Sequence, residues 1–215
     1  MKLYVYEHCP YCVKAMMIFG LKKVPYEKVI LMEDDVDTPT NMVGSKVVPI
    51  LEKDDGTFMP ESMDIVHFID NLDGKPLVTG ESVPAIAQWQ AEHRETVNSL
   101  LYPRFANAPF PELKTDAAYD RYVQRMTGKV GDLDKLLDFT PHFVTQLNRA
   151  LVFLDSLIVS PEAVNGELSE DDFHLFASLR SLTLVKGLQF PEKIDAYVRT
   201  MAKKSDVALL DGMAL

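Results

Sequence analysis

Cysteine is nearly absent from this chain: its 215 residues include two, Cys9 and Cys12. So few cysteines exclude a disulfide framework and a four-cysteine zinc site. The sequence also lacks an uninterrupted apolar run long enough to cross a bilayer. Positive charge is scarce, with 22 lysines and arginines against 32 aspartates and glutamates and a formal net charge of −10. That balance argues against broad affinity for phosphate backbones or anionic lipid, so neither nucleic acid nor membrane is an expected partner. Met1 to Tyr6 leads straight into a strand pattern, so no secretory leader is expected, and the sparse cysteine usage fits a reducing cytoplasm.

What is present is the spacing of those two thiols. Cys9-Pro10-Tyr11-Cys12 follows a short alternating strand, Leu3 to Tyr6, and precedes a helical pattern, Ala15 to Leu21. Pro10 has no N–H to lose and a φ suited to a first helical turn, which puts the Cys9 sulfur over unpaired backbone amides. The partial positive charge there favours thiolate. A free cysteine titrates near about 8.5, whereas cysteines in this motif fall to roughly 3.5–7.5. Cys12 lies one helical turn on, able to close a disulfide with Cys9, and is expected to be the more buried of the two.

A zinc half-site is the plain alternative, but there is no third cysteine. His8 offers one nitrogen, while His67, His93, His142 and His174 all fall in predicted helices or at a helix start. No metal site is expected. A purely structural disulfide would close too short a loop to constrain the unfolded chain much. The strand-turn-helix context points to redox chemistry at Cys9 and Cys12.

Along the chain the pattern reads strand (Leu3–Tyr6), helix (Cys12–Lys22), strand (Tyr26–Leu31), short helix near Thr38-Pro39, strand (Val47–Leu51), turn at Asp54-Asp55-Gly56, short strand (Thr57–Met59), and a helix over Met63–Leu72 that Ser62 can cap. This order implies a small mixed sheet flanked by helices. Residues 73–83 read as a linker, and helix-period segments follow: Pro84–Asn107, Asp116–Asp138 with a break at Gly128 or Gly131, Pro141–Val159, Ser169–Lys186 and Pro191–Lys204. The expected division is an α/β domain over 1–72, the linker over 73–83, and an all-helical domain over 84–215. Ser169 and Asp172 form a capping-box pattern, and the helix they open is expected to be the buried centre of its domain. Trp89 and Met16, Met17, Met42 and Met63 read as packing residues.

Taken together, Cys9-Pro10-Tyr11-Cys12, Val48-Pro49, Glu61-Ser62 and the capped helix at Ser169 resemble the larger glutaredoxins built on a glutathione-transferase scaffold. The resemblance runs the length of the chain. It implies a thioredoxin-like fold for the first domain and glutathione-dependent thiol-disulfide exchange, with glutathione as co-substrate and no permanently bound cofactor. Its implied partners are glutathione and glutathionylated or disulfide-containing proteins, and its implied state is a monomer. By the same resemblance Pro49 is cis, and the Val48 backbone receives the glutathione cysteine as a short added strand. Glu61 and Ser62 receive its γ-glutamyl end, and Tyr11 walls the site.

A helix start at Ser62 is independently suited to a carboxylate, with Glu61 available to an ammonium group. Lys22, Lys23 and Lys46 are candidates for the second carboxylate of glutathione. Arg94, Arg104, Arg149 and Arg180 are candidates to reach the cleft from the helical domain. Val47 stands where small glutaredoxins often carry threonine, and Cys9 replaces the tyrosine or serine of conjugating transferases, which argues against conjugation. Two other readings remain: a thioredoxin-like reductase, which would not need Glu61-Ser62, and a non-catalytic scaffold, which would not need Cys9.

Overall fold

In the computed structural model, which describes residues 1–215, the central strand β1 (Lys2–Val5) buries residues on both faces. Leu3 and Val5 enter the main core, while Tyr4 joins Tyr6, Leu31 and Ile50 in a smaller cluster on the other side. That is the two-residue periodicity of a covered strand. Helix α1 (Pro10–Lys22) returns the chain to β2 (Glu27–Ile30), which pairs parallel to β1. After α2 (Asp37–Val43), strands β3 (Ile50–Glu52) and β4 (Phe58–Met59) complete a sheet of order β2-β1-β3-β4, with both later pairings antiparallel. Helix α3 (Ser62–Asp70) packs against α1.

Two local details differ from the sequence pattern. The third strand begins at Ile50, opposite Tyr4, rather than at Val47. Pro49 has no N–H for the ladder, so pairing starts one residue later, and the Val48–Pro49 peptide is cis. The cap of α3 is Glu61, not Ser62. Glu61 has φ 71° and ψ 115°, while Ser62 is the first helical residue and makes no capping hydrogen bond.

The segment after α3 is tied at both ends. The buried Asp70 carboxylate accepts from the amides of Leu77 (2.8 Å) and Val78 (3.1 Å). Lys22 donates to the Asp73 carboxylate and the Lys75 carbonyl. Further on, the Thr79 and Gly80 amides both donate to the Leu168 carbonyl, at 3.1 and 2.9 Å. A Cβ on Gly80 would stand 2.5 Å from the Glu167 carbonyl oxygen, so this close approach requires glycine.

The remainder is helical: α4 (Pro84–Asn107), α5 (Asp116–Val130), α6 (Leu133–Asp138), α7 (Thr140–Leu157), α8 (Glu170–Leu182) and α9 (Glu192–Ser205), with short 3₁₀ turns at Pro111–Leu113 and Asp211–Met213. Gly131, at φ 85°, makes the break between α5 and α6. Helix α8 is buried along most of its length, Phe173, Leu175, Phe176, Leu179 and Leu182 included. Its start is held by Asp172, which accepts from the amides of Ser169 (2.9 Å) and Val164 (2.7 Å) and from the Tyr197 hydroxyl (3.0 Å). Trp89 is buried, its indole N–H donating to the Ala150 carbonyl at 3.0 Å.

Helix α1 also packs against α8 and α9, so it belongs to both halves of the molecule. Its contact with α9 is backbone to backbone: a Cβ on Gly20 would lie 1.8 Å from the Ser205 carbonyl oxygen. No helix is long and apolar enough to cross a membrane.

Candidate active site

Cys9 occupies the N-cap of α1 in an extended conformation, with Pro10 as the first helical residue and the Val13 amide donating to the Cys9 carbonyl at 3.1 Å. Both thiols are free; Cys9 is partly exposed and Cys12 fully buried. The Cys9 thiol is lowered to about 7. A hydrogen bond from the Cys12 thiol is the largest cause, followed among the lowering causes by the charge of His8 and then the amides of Cys12 and Tyr11. Desolvation opposes them. The helix-start amides singled out by the sequence therefore contribute less than the second thiol does. Burial, together with the neighbouring Cys9, pushes the Cys12 thiol well above its ordinary range. The Tyr6 amide points at the Cys12 sulfur, 3.4 Å away.

The floor of the site comes from the helical half. Glu112, in the 3₁₀ turn after α4, places one carboxylate oxygen 2.7 Å from His8 Nδ1, and the same oxygen accepts from the His8 amide at 2.9 Å. Tyr6, Phe105, Phe110 and Tyr122 pack around the His8 ring. The other Glu112 oxygen is buried without a partner. Arg180, from α8, is buried and donates to the Glu7 carbonyl at 2.7 Å and the Ala208 carbonyl at 2.9 Å. A further tie runs from the Glu33 amide to the Glu112 carbonyl at 3.0 Å.

Above the thiols lies a cleft of about 760 Å³ between the α/β half and helices α4, α5 and α8. Cys9, Tyr11 and Val48 line it. Lys14 lies on its wall, 7% exposed, with Nζ 2.8 Å from His174 Nδ1 and 4.8 Å from the centre of the Tyr11 ring. Burial lowers the Lys14 ammonium to about 8 despite the opposing influence of Cys9. Burial, then Lys14, pushes His174 downward. On the opposite wall the buried Glu33 carboxylate pairs with Arg125 at 2.9 Å and Lys46 at 3.5 Å. No group of His, Cys, Asp or Glu side chains is arranged to hold a metal ion.

Not every candidate from the sequence lies on this cleft. Pro49 is buried behind Val48, Glu61 is exposed, and Ser62 is buried at the head of α3; none of the three is among the lining residues. Of the three lysines, Lys46 lines the cleft, Lys22 ties down the segment after α3, and Lys23 closes α1 in a left-handed conformation. Arg94 lines the cleft, Arg149 is exposed on α7 away from it, and Arg104 is buried against the carbonyls of Leu100 and Leu215. Sequence reasoning missed Lys14, Glu112 and Arg125. Lys14 had a readable signal, being the one charge within the apolar run Val13 to Phe19.

Residues 85–214 match the family profile described as the glutaredoxin 2 C-terminal domain. The chain belongs to the glutaredoxin 2 family. Residues 3–77 match the glutathione S-transferase N-terminal domain, consistent with a thioredoxin-like α/β unit followed by a helical one. Glutaredoxin 2 of Escherichia coli (strain K12) is 51% identical over 215 residues, covering 100% of both chains. The crystal structure of glutaredoxin 2 from Salmonella typhimurium in complex with glutathione superposes with a TM-score of 0.98 at 51% identity, covering 100% of this chain and 98% of that one. Gtt2 from Saccharomyces cerevisiae shares the fold, with a TM-score of 0.53 at 22% identity over 97% of each chain. The glutaredoxin 2 relationship and the transferase-like architecture are those the sequence motifs implied, and they make the chain a thiol-disulfide oxidoreductase.

Proposed function

We propose that this glutathione-dependent thiol-disulfide oxidoreductase works through Cys9 as nucleophile and Cys12 as its resolving partner. The observation that carries the assignment is the pairing of a partly exposed thiol lowered to about 7 with a buried one raised above its ordinary range. The Cys9 thiolate attacks the glutathione sulfur of a mixed disulfide. The substrate thiolate leaves and takes up a proton, and Cys9 is left bonded to glutathione. A second glutathione thiolate attacks the glutathione sulfur of that adduct, releasing glutathione disulfide and restoring the Cys9 thiolate. With a protein disulfide, Cys12 loses its proton and attacks the Cys9 sulfur of the mixed disulfide, expelling the protein thiolate. Two glutathiones then reduce the Cys9–Cys12 bond. The high thiol pKa of Cys12 makes the second route the slower one.

For the glutathione itself, Val48 offers backbone N–H and C=O groups beside the cis Pro49, Tyr11 forms a wall, and the first-turn amide and hydroxyl of Ser62 await the γ-glutamyl carboxylate, with Glu61 for its ammonium. The strained φ of Glu61 and the uncapped start of α3 support that role. Lys46 is the lysine we assign to the remaining carboxylate. Residues 1–72 form the glutathione-reading unit, joined through 73–83 to the helical unit 84–215. The substrates are glutathionylated or disulfide-containing proteins, and the protein acts as a cytoplasmic monomer. Reduction of a glutathionylated peptide by Cys9→Ser and Cys12→Ser tests the assignment: the first variant should be inactive and the second should retain much of the rate. Equal activity of the wild type and Cys9→Ser would overturn it.

A further inference from the structure

The cleft above Cys9 is lined mainly by cations among its charged side chains, in a protein that is strongly anionic overall. Lys14, Lys46, Arg94, Arg121, Arg125 and Lys129 line the cleft, and the one lining carboxylate, Glu33, is already paired with Arg125 and Lys46. Arg121, Arg125 and Lys129 stand four residues apart on α5, one above another on the same face. Like charges at that spacing repel and weaken a helix, so helix stability does not account for the stripe. Arg94, Arg121 and Lys129 form no ion pair, and Tyr102, Phe105, Tyr122 and Met126 supply an apolar base beside them. Asp116 and Asp120 lie on α5 outside the cleft lining.

We propose that this stripe on α5 is a second binding site, which takes the acidic polypeptide segment flanking the disulfide of the protein substrate. The stripe runs about 12 Å along the helix axis, the reach of about four extended residues. Lys46 is given to glutathione and Arg125 to Glu33, which leaves Arg121 and Lys129 of the stripe uncommitted. The site thus selects among glutathionylated proteins by the charge around their cysteine. The proposal deepens the reductase reading and rests on it for which substrates reach the site.

Three peptides of equal length, each with one glutathionylated cysteine flanked by Glu, Gln or Lys, provide the test. At low salt the wild type should show kcat/KM about three- to tenfold higher for the Glu peptide than for the Gln peptide, and lower again for the Lys peptide. The ratio should shrink as salt rises. Arg121→Glu combined with Lys129→Glu should reverse the order in favour of the Lys peptide, with the Gln peptide as internal reference for intact folding. Equal kcat/KM across the three peptides, a preference that survives the double reversal, or an advantage confined to small glutathione disulfide would overturn the proposal. Fluorescence anisotropy of labelled Glu and Gln peptides with alkylated cysteines, bound to Cys9→Ser, reads the site without turnover. If no peptide is reduced yet the Glu peptide still binds more tightly, the reductase reading fails and the acidic-segment site stands.

Discussion

Glu112, more than a hundred positions along the chain from His8, holds that ring with one oxygen 2.7 Å from Nδ1, immediately before Cys9. The helical half thereby reaches into the electrostatics of a thiol that belongs to the other half. The charge of His8 is one of the causes that lower Cys9, and the Glu112 carboxylate is the hydrogen-bond partner that fixes the ring in its aromatic cage.

Replacing Glu112 by Gln keeps an acceptor for the His8 amide but removes the countercharge. The Cys9 thiol should rise, because the ring whose charge is among the causes that lower it loses the carboxylate that holds it in place. Iodoacetamide alkylation of Cys9 followed by mass spectrometry across pH 5–9 reads this as a midpoint shifted upward. Turnover at pH 6.5 should fall by a factor of a few.

Cys12 contributes in the same direction through a hydrogen bond to the charged form of Cys9. A donor to the thiolate lowers its pKa, so wild-type reactivity should be half-maximal near pH 7 and decline below it. Cys12→Ala removes the donor, and its midpoint should move up toward the ordinary value of about 8.5. Cys12→Ser keeps a hydroxyl donor and should stay nearer the wild type. Identical profiles for the two variants would rule out the hydrogen bond as the dominant cause.

Gly20 tests the seam between the halves. An alanine Cβ there would meet the Ser205 carbonyl oxygen at 1.8 Å, a backbone atom that cannot swing away. Gly20→Ala should destabilise by about 1–3 kcal/mol, the usual range for overpacking, and lower Tm by several degrees in a thermal melt.

At Glu61 stability and function should part. Its positive φ is strained for any residue but glycine, by about 1–3 kcal/mol. Glu61→Gly should therefore hold or raise Tm. The same change removes the proposed partner of the γ-glutamyl ammonium, and KM for glutathione should increase about tenfold. An unchanged KM would remove Glu61 from the glutathione site.

The parts of the molecule visible in its sequence are those decided by neighbours in the chain. Pro10 starts α1, Gly131 breaks the α5–α6 run, and Asp172 holds the start of α8, each through contacts within a few residues. Pro49 misled slightly, since a strand-like run of apolar residues does not show where the ladder loses a donor. Ser62 misled for a similar reason: serine suits a cap, but the chain turns one residue earlier, at Glu61. His8–Glu112, Lys14–His174 and Glu33–Arg125 join residues about a hundred or more positions apart, and no local periodicity encodes such pairs. The cationic wall stayed hidden because net charge sums over the whole surface and says nothing about which sign collects in one cleft.

The contact between Gly20 and Ser205 also decides how far a change at position 20 is felt. With the α1 and α9 backbones this close, any added side chain there must push the two helices apart, so the disturbance passes into the helical half as well as along the helix that carries the thiols.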